Sequence, residues 1–290
     1  MVVSKFRAFT LVELLVVIAV VGLLSTIVLA VTSGLGSQAS LIKTLAWARS
    51  INSLLGVSAA GLWNMDEGIM GTCSGGQDIC DISGWNNHGV ISGATYLDGT
   101  PSGQGYALNF DGVDDYVGFN NSTSLAQMSD LTLEAWVNFA SVSGKDEGRS
   151  IYSKGSNTVD GTFWVYYNQG SNLFYFELDQ TAPSYSWIPI IGQWYHLVFS
   201  YDGAYMRMYK DGTRVMNYNI TNRAVSNVAA AYIGGYQGSG HSFHGQIDDV
   251  RIYGQALTAL QVKSQYYIGL NELLIKGLIT EQEHLKRLAL

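Results

Sequence analysis

The apolar run from Phe9 to about Val31 constrains this chain more than any other segment. Met1–Ala8 ahead of it is short and carries Lys5 and Arg7. Leu14–Val31 alone is 18 residues long, close to the ~20 that cross a bilayer as a helix. A secretory signal peptide has an apolar core of only about 7–15 residues, so the run is too long for one. The basic flank puts the N-terminus on the cytoplasmic side. A plain single-pass anchor fits both length and flank but leaves Glu13, the single charge in the run, without a reason. A carboxylate in hydrocarbon is costly and is usually paired.

The string R-A-F-T-L-V-E-L-L-V-V-I-A at 7–19 resembles the class III leader and N-terminal helix of type IV prepilins and pseudopilins, over about residues 5–31. The resemblance implies that a prepilin peptidase in the membrane cuts between Ala8 and Phe9 and methylates the new amine. It also implies that Glu13 neutralises the N-terminus of a neighbouring pilin-like subunit in a filament. Ala8 stands where the family usually has Gly. The leader is then 1–8 and a hydrophobic helix and stalk cover 9–56. The chain is expected to sit in the bacterial inner membrane as a single-pass protein with an extracytoplasmic C-terminal domain, before moving to a pilus or the cell surface.

Well over 200 residues remain, enough for one large all-β domain. Gly (33), Tyr (18) and Trp (7) are abundant and only 13% of residues are charged. Glycine-punctuated aromatic segments read as strands, and 47% apolar content excludes disorder. A net charge of −7 argues against nucleic acid, which needs a basic footprint. Cys73 and Cys80 are the two cysteines. They cannot make a structural zinc site unaided and read as a disulfide in an oxidising compartment.

Gln38–Leu55 keeps helical spacing and Gly56 ends it. From about Val57 the period becomes two. Tyr106–Phe110, Leu131–Phe139, Phe163–Tyr167, Leu173–Leu178, Tyr195–Tyr201, Tyr205–Tyr209, Ala231–Ile233 and Gln246–Tyr253 read as strands. Asn168–Asn172 and Asp211-Gly212 read as hairpin turns. Many short antiparallel strands predict a two-sheet sandwich. Gly269–Leu290 turns helical, with a glycine stop, Thr280 as N-cap and Glu283 in a capping box.

Eight blocks then carry a second resemblance: G-L-W-N-M-D-E-G (61–68), D-I-S-G-W-N-N-H-G (81–89), Y-A-L-N-F-D-G-V-D-D-Y-V (106–117), L-T-L-E-A-W-V (131–137), W-Y-H-L-V-F-S-Y-D-G (194–203), M-Y-K-D-G (208–212), I-G-G (233–235) and G-Q-I-D-D-V-R-I-Y (245–253). Their order resembles the laminin-G-like branch of the concanavalin A-like lectin/glucanase jelly rolls, over 57–267. The fold expected is mainly β: a pilin-like transmembrane helix, a two-sheet antiparallel jelly roll, and a short C-terminal helical hairpin over 268–290. The Cys73–Cys80 loop is an insertion between two blocks, so its disulfide is expected to be local.

Hydrolases of this fold set two carboxyls about 5–5.5 Å apart across the sugar, from an E-x-D-x-E type string. Here Glu134 stands alone in L-T-L-E-A-W-V, so no catalytic residues and no enzyme are expected. His196 alternates with aromatic neighbours and reads as structural. Asp66, Asp81 and Asp248 occupy loops that the topology can bring to one end of the sandwich, and carboxylates with backbone carbonyls suit Ca²⁺ with its roughly 6–8 oxygen ligands. Trp85, Trp187 and Tyr236 are loop aromatics for a sugar, though no ligand residue stands out. The reading is a surface-exposed minor pilin or pilin-like adhesin whose lectin-like head recognises a carbohydrate or surface protein. A secretion-system pseudopilin contacting exported cargo, or a lone membrane-anchored lectin-like domain, are the alternatives.

Overall fold

The computed structural model describes residues 55–97, 105–120, 122–142, 148–155, 161–226, 229–236 and 241–288. Ala8, Phe9, Glu13 and the membrane run lie outside them, as does the 38–55 helix except for Leu55. No helix among the described residues is long and apolar enough to cross a membrane.

The strands in chain order are β1 (Ala59–Trp63), β2 (Gly89–Ser92), β3 (Thr95–Tyr96), β4 (Leu108–Asp111), β5 (Tyr116–Phe119) and β6 (Gln127–Met128). Then come β7 (Leu131–Phe139), β8 (Gly148–Lys154), β9 (Phe163–Asn168), β10 (Leu173–Leu178), β11 (Ser184–Ser186) and β12 (Trp194–Tyr201). The last are β13 (Tyr205–Lys210), β14 (Thr213–Asn219), β15 (Val225–Ser226), β16 (Ala231–Ile233) and β17 (His244–Tyr253). One sheet runs β14-β13-β12-β7-β17-β4-β3, with β1 also on β17, and the other runs β11-β10-β9-β8-β16-β5-β2. Every pairing within them is antiparallel. This is the expected jelly-roll sandwich. Leu133, Ala135 and Val137 of β7 meet Val165, Phe174 and Phe176 of the facing sheet in one buried core, as period-two strands with one buried face must.

Asp211 and Gly212 both adopt positive φ, 50° and 74°, the two-residue hairpin geometry that Asp-Gly favours. β17 departs from strict alternation. Ile247, Val250 and Ile252 are all in the core, and Ile247 and Val250 are three residues apart. A bulge between Asp248 and Arg251 absorbs the extra residue, with Asp249 at φ 49°. It turns two consecutive aspartates away from the core, a common use of bulges.

The tail differs from the 268 boundary. A long helix already starts at Ala259 and runs to Ile275. Thr258 and Gln261 form a full capping box at its start. Gly277 (φ 73°) then ends it, and Thr280 Oγ1 accepts from Glu283 N at 3.2 Å at the start of a terminal helix, Glu281–Leu288. Both lie on the outward face of the eight-stranded sheet, where Trp136, Trp194, Tyr266, Leu270 and Leu273 form a second apolar cluster. Gly269 is required there, since a Cβ would stand 2.0 Å from Trp136 Nε1.

Cys73 and Cys80 are bonded, with Cα atoms 5.2 Å apart. Glu67 Oε1 accepts from the Cys80 N–H at 2.8 Å. Closing so short a loop limits the unfolded chain only slightly, so Cys73→Ala/Cys80→Ala should lose about 2–3 kcal/mol in urea unfolding. A loss above about 5 kcal/mol would show that the loop has a larger role than this entropy.

Candidate functional site

The outward face of the seven-stranded sheet is aromatic. Phe163, Val165 and Tyr167 of β9 point into the core with Phe174 and Phe176 of β10, so Trp164, Tyr166 and Tyr175 point out. Register aligns Glu177 with Trp164, Trp164 with Ser153, Ser153 with Tyr232, and Tyr232 with Gly118. A row thus crosses five strands with rings at Trp164 and Tyr232 flanking a small residue. Beside it Tyr166 stacks on Tyr175, centroids 4.9 Å apart and planes 13° apart. Trp164 lies 4.4 Å from Tyr166 and His241 meets its edge at 4.9 Å. Tyr116 and Tyr236 abut Tyr232 at 5.6 and 5.7 Å.

These rings are half-buried and anchored. Trp164 Nε1 donates to Ser150 Oγ at 3.1 Å. Burial, with the Glu177 charge, pushes the Tyr166 hydroxyl up to about 12, so it stays protonated at neutral pH. Burial also raises the Glu177 carboxyl above the ordinary carboxylate range. Half-exposed Trp and Tyr present a flat apolar ring beside a polar handle, the combination that recurs at binding surfaces. Tyr236 joins this face. Trp187 instead stacks on Phe174 at 5.1 Å, and Trp85 is exposed but tied by its Nε1 to Ala59 O at 3.1 Å.

The acidic residues read for calcium do not form one site. Asp81 has no acceptor capacity left. Its Oδ1 accepts from Leu62 N and Ser83 N, and its Oδ2 from Ser83 Oγ and Asn87 N, filling the roughly four lone-pair positions of a carboxylate. Asp66 and Asp248 do converge, since β1 and β17 pair antiparallel, but on Lys276 Nζ at 3.0 and 2.8 Å. Two triads with mutually close ligand atoms occur among the described residues. Glu67 with Cys73 and Cys80 offers a lone carboxylate, because the sulfurs are bonded to each other. Asp111, Asp114 and Asp115 sit at the end of β4 and in the loop that crosses to β5 in the other sheet. There Asp111 Oδ1 accepts from Val113 N as a turn, and burial raises the Asp115 carboxyl.

Glu134 is not alone. Arg251 Nη1 lies 3.3 Å from Glu134 Oε1 and Nη2 lies 3.1 Å from Asp249 Oδ1. Gln265 of the long helix accepts from the same guanidinium at 2.7 Å, and His196 Nε2 lies 3.2 Å from Glu134. With Glu134 1% and His196 0% exposed, no sugar reaches this cluster under the helix. A cleft of about 900 Å³ between the tail and the β13–β14 hairpin is lined by Lys263 and Lys286 and by charges that pair with each other, Arg287 with Asp211 and Glu283.

Fold and surface together define a lectin-type jelly roll. A family profile described as the concanavalin A-like lectin/glucanases superfamily matches residues 111–263, and the chain belongs to that family. A second profile, the prokaryotic N-terminal methylation motif, matches residues 3–29, so the chain carries a type IV prepilin N-terminus ahead of its lectin-like head. No curated protein matches by sequence. Among solved structures, domain 4 of a GH43 extracellular arabinanase from Geobacillus stearothermophilus, in complex with arabinotriose, is 20% identical, with a TM-score of 0.53 over 71% of this chain and 97% of that one. The binding domain of botulinum neurotoxin serotype D is 11% identical, TM-score 0.59, over 75% and 52%. The binding domain of Paraclostridial Mosquitocidal Protein 1 is 13% identical, TM-score 0.58, over 75% and 53%. The chain spans about half the length of the two toxin domains. At these identities the likeness is one of fold.

Proposed function

We propose that this protein is a non-enzymatic, pilin-like surface adhesin whose head binds carbohydrate on the aromatic face of the seven-stranded sheet. The observation that carries the reading is the register-aligned row of Trp164 and Tyr232 with Tyr166 and Tyr175 beside it. A pyranose or furanose ring presents C–H groups to such rings and hydroxyls to Glu177 and the tyrosine edges. The arabinotriose held by the arabinanase domain supports a glycan over a protein ligand. The test is a glycan array followed by titration of the best-binding oligosaccharide into the full chain in detergent. Trp164→Ala should weaken binding at least about tenfold, which is ~1.4 kcal/mol, without lowering the melting temperature by more than a few degrees. Unchanged affinity in Trp164→Ala and Tyr175→Ala would place the sugar elsewhere.

The N-terminal part of the proposal is assembly. Cleavage before Phe9 in a host with prepilin peptidase should remove about 0.9 kDa, eight residues at roughly 110 Da each, and add one methyl. Glu13→Val should still insert in the inner membrane, because it removes a charge from hydrocarbon, yet be depleted from sheared filaments. Intact mass of a chain beginning at Met1, or full incorporation of the Val variant, would refute this part.

A further inference from the structure

Lys276 ends the long helix and reaches a cage built by three distant segments. Its Nζ lies 2.9 and 2.8 Å from the two Asp248 carboxylate oxygens and 3.0 Å from Asp66 Oδ1. It donates as well to the backbone carbonyls of Asn64 at 3.1 Å and Tyr106 at 3.2 Å. An ammonium has three protons to donate, yet five oxygens surround this one. Two carboxylates and two backbone carbonyls are the donor chemistry of a calcium site, which takes about 6–8 oxygens at roughly 2.3–2.6 Å. Asp248 is 1% exposed on its side chain and Asp66 35%, so the cage is closed on one side and open to solvent on the other. Two carboxylates against one ammonium leave a formal charge of −1, whereas a divalent ion in place of the ammonium would balance both carboxylates.

We infer that Lys276 is a tethered replacement for a divalent cation: its ammonium fills a calcium-type oxygen cage, makes the head independent of calcium, and leaves a cation site when its side chain is shortened. The inference stands apart from the sugar-binding reading, since the cage belongs to the opposite sheet. It also gives the tail a defined task, because the end of a helix that follows every strand in sequence supplies the charge that joins β17 to the segments following β1 and preceding β4.

The test uses the full chain in detergent, melted in calcium and in chelator. Wild type should melt at the same temperature in both. Lys276→Ala should melt lower in chelator, recover by several degrees in millimolar calcium, and bind one terbium ion per chain by sensitised luminescence. Adding Asp248→Asn to that variant should abolish both responses. Lys276→Met, whose side chain still fills the cage without charge, should be destabilised and not rescued. Asp248→Asn in the wild-type background should lower the melting temperature equally in both media. A wild-type calcium shift that Asp248→Asn removes would overturn the inference, as would a Lys276→Ala chain that calcium neither stabilises nor refolds.

Discussion

Replacing Arg251 with methionine is expected to cost about 3–5 kcal/mol of stability, the range for breaking a buried ion pair on one side. Burial alone would lower the guanidinium's pKa, but the Asp249 and Glu134 carboxylates outweigh it and hold the group above its ordinary value. Burial likewise works against the ionised Asp249 carboxyl, and Arg251 with Lys276 reverses this and brings its pKa below the usual value. A carboxyl depressed in the folded state contributes stability that is full above its unfolded pKa and is lost as pH falls through its folded pKa. The wild-type contribution of Asp249 should therefore persist down to about pH 4. The variant behaves oppositely. Its stranded carboxylates favour the protonated form, so the deficit against wild type should shrink on going from pH 7 to pH 5. Adding Glu134→Gln should recover part of the loss. Urea unfolding of the full chain at the two pH values measures this, and a deficit under about 1 kcal/mol, or one that widens in acid, would mean that water reaches the cluster.

A chain ending at Ala256 should not form a native head. Leu257, Val262, Tyr266, Leu270 and Leu273 are each at most 3% exposed. At about 1.5–3 kcal/mol for each buried side chain their loss amounts to roughly 7–15 kcal/mol, comparable with the whole stability of an ordinary domain at about 5–15. The truncation also uncovers Trp136 and Trp194 as an apolar patch and strands Asp248 and Arg251 without Lys276 and Gln265. Rapid proteolysis, dye binding to exposed apolar surface and loss of near-ultraviolet dichroism are the expected results. A soluble truncated chain with a cooperative melt would show that the tail is an appendage.

Strands whose inward residues are apolar were legible from alternation, as in Phe163–Tyr167 and Tyr195–Tyr201, and the structure places β9 and β12 there. β8, R-S-I-Y-S-K after its glycine, and β14, T-R-V-M-N-Y-N, gave no such signal. β14 is an edge strand, largely exposed, and β8 carries small polar residues where the aromatic rings of its neighbours lean over it. The capping box T-A-L-Q at 258–261 marks a helix start, but it lies inside the 57–267 span of the lectin-like resemblance, beyond the last of its blocks.

Local chemistry therefore settled with the sequence: the methylation motif, the alternation of the jelly-roll strands, the short-range disulfide and the Asp-Gly hairpin all depend on residues a few positions apart. Which face of β9 is wet was not among these, because Phe163, Trp164, Tyr166 and Tyr167 put rings on both sides of the strand. Only the packing of the two sheets separates core from surface there. The charge partners were hidden for another reason. Lys276 lies 28 residues from Asp248 and 212 from Asn64 along the chain, and a carboxylate looks the same in sequence whether a metal or an ammonium will face it. That choice rests on long-range packing, since the ammonium reaches Asp248 only once the C-terminal helix has docked its apolar side on Trp136 and Trp194.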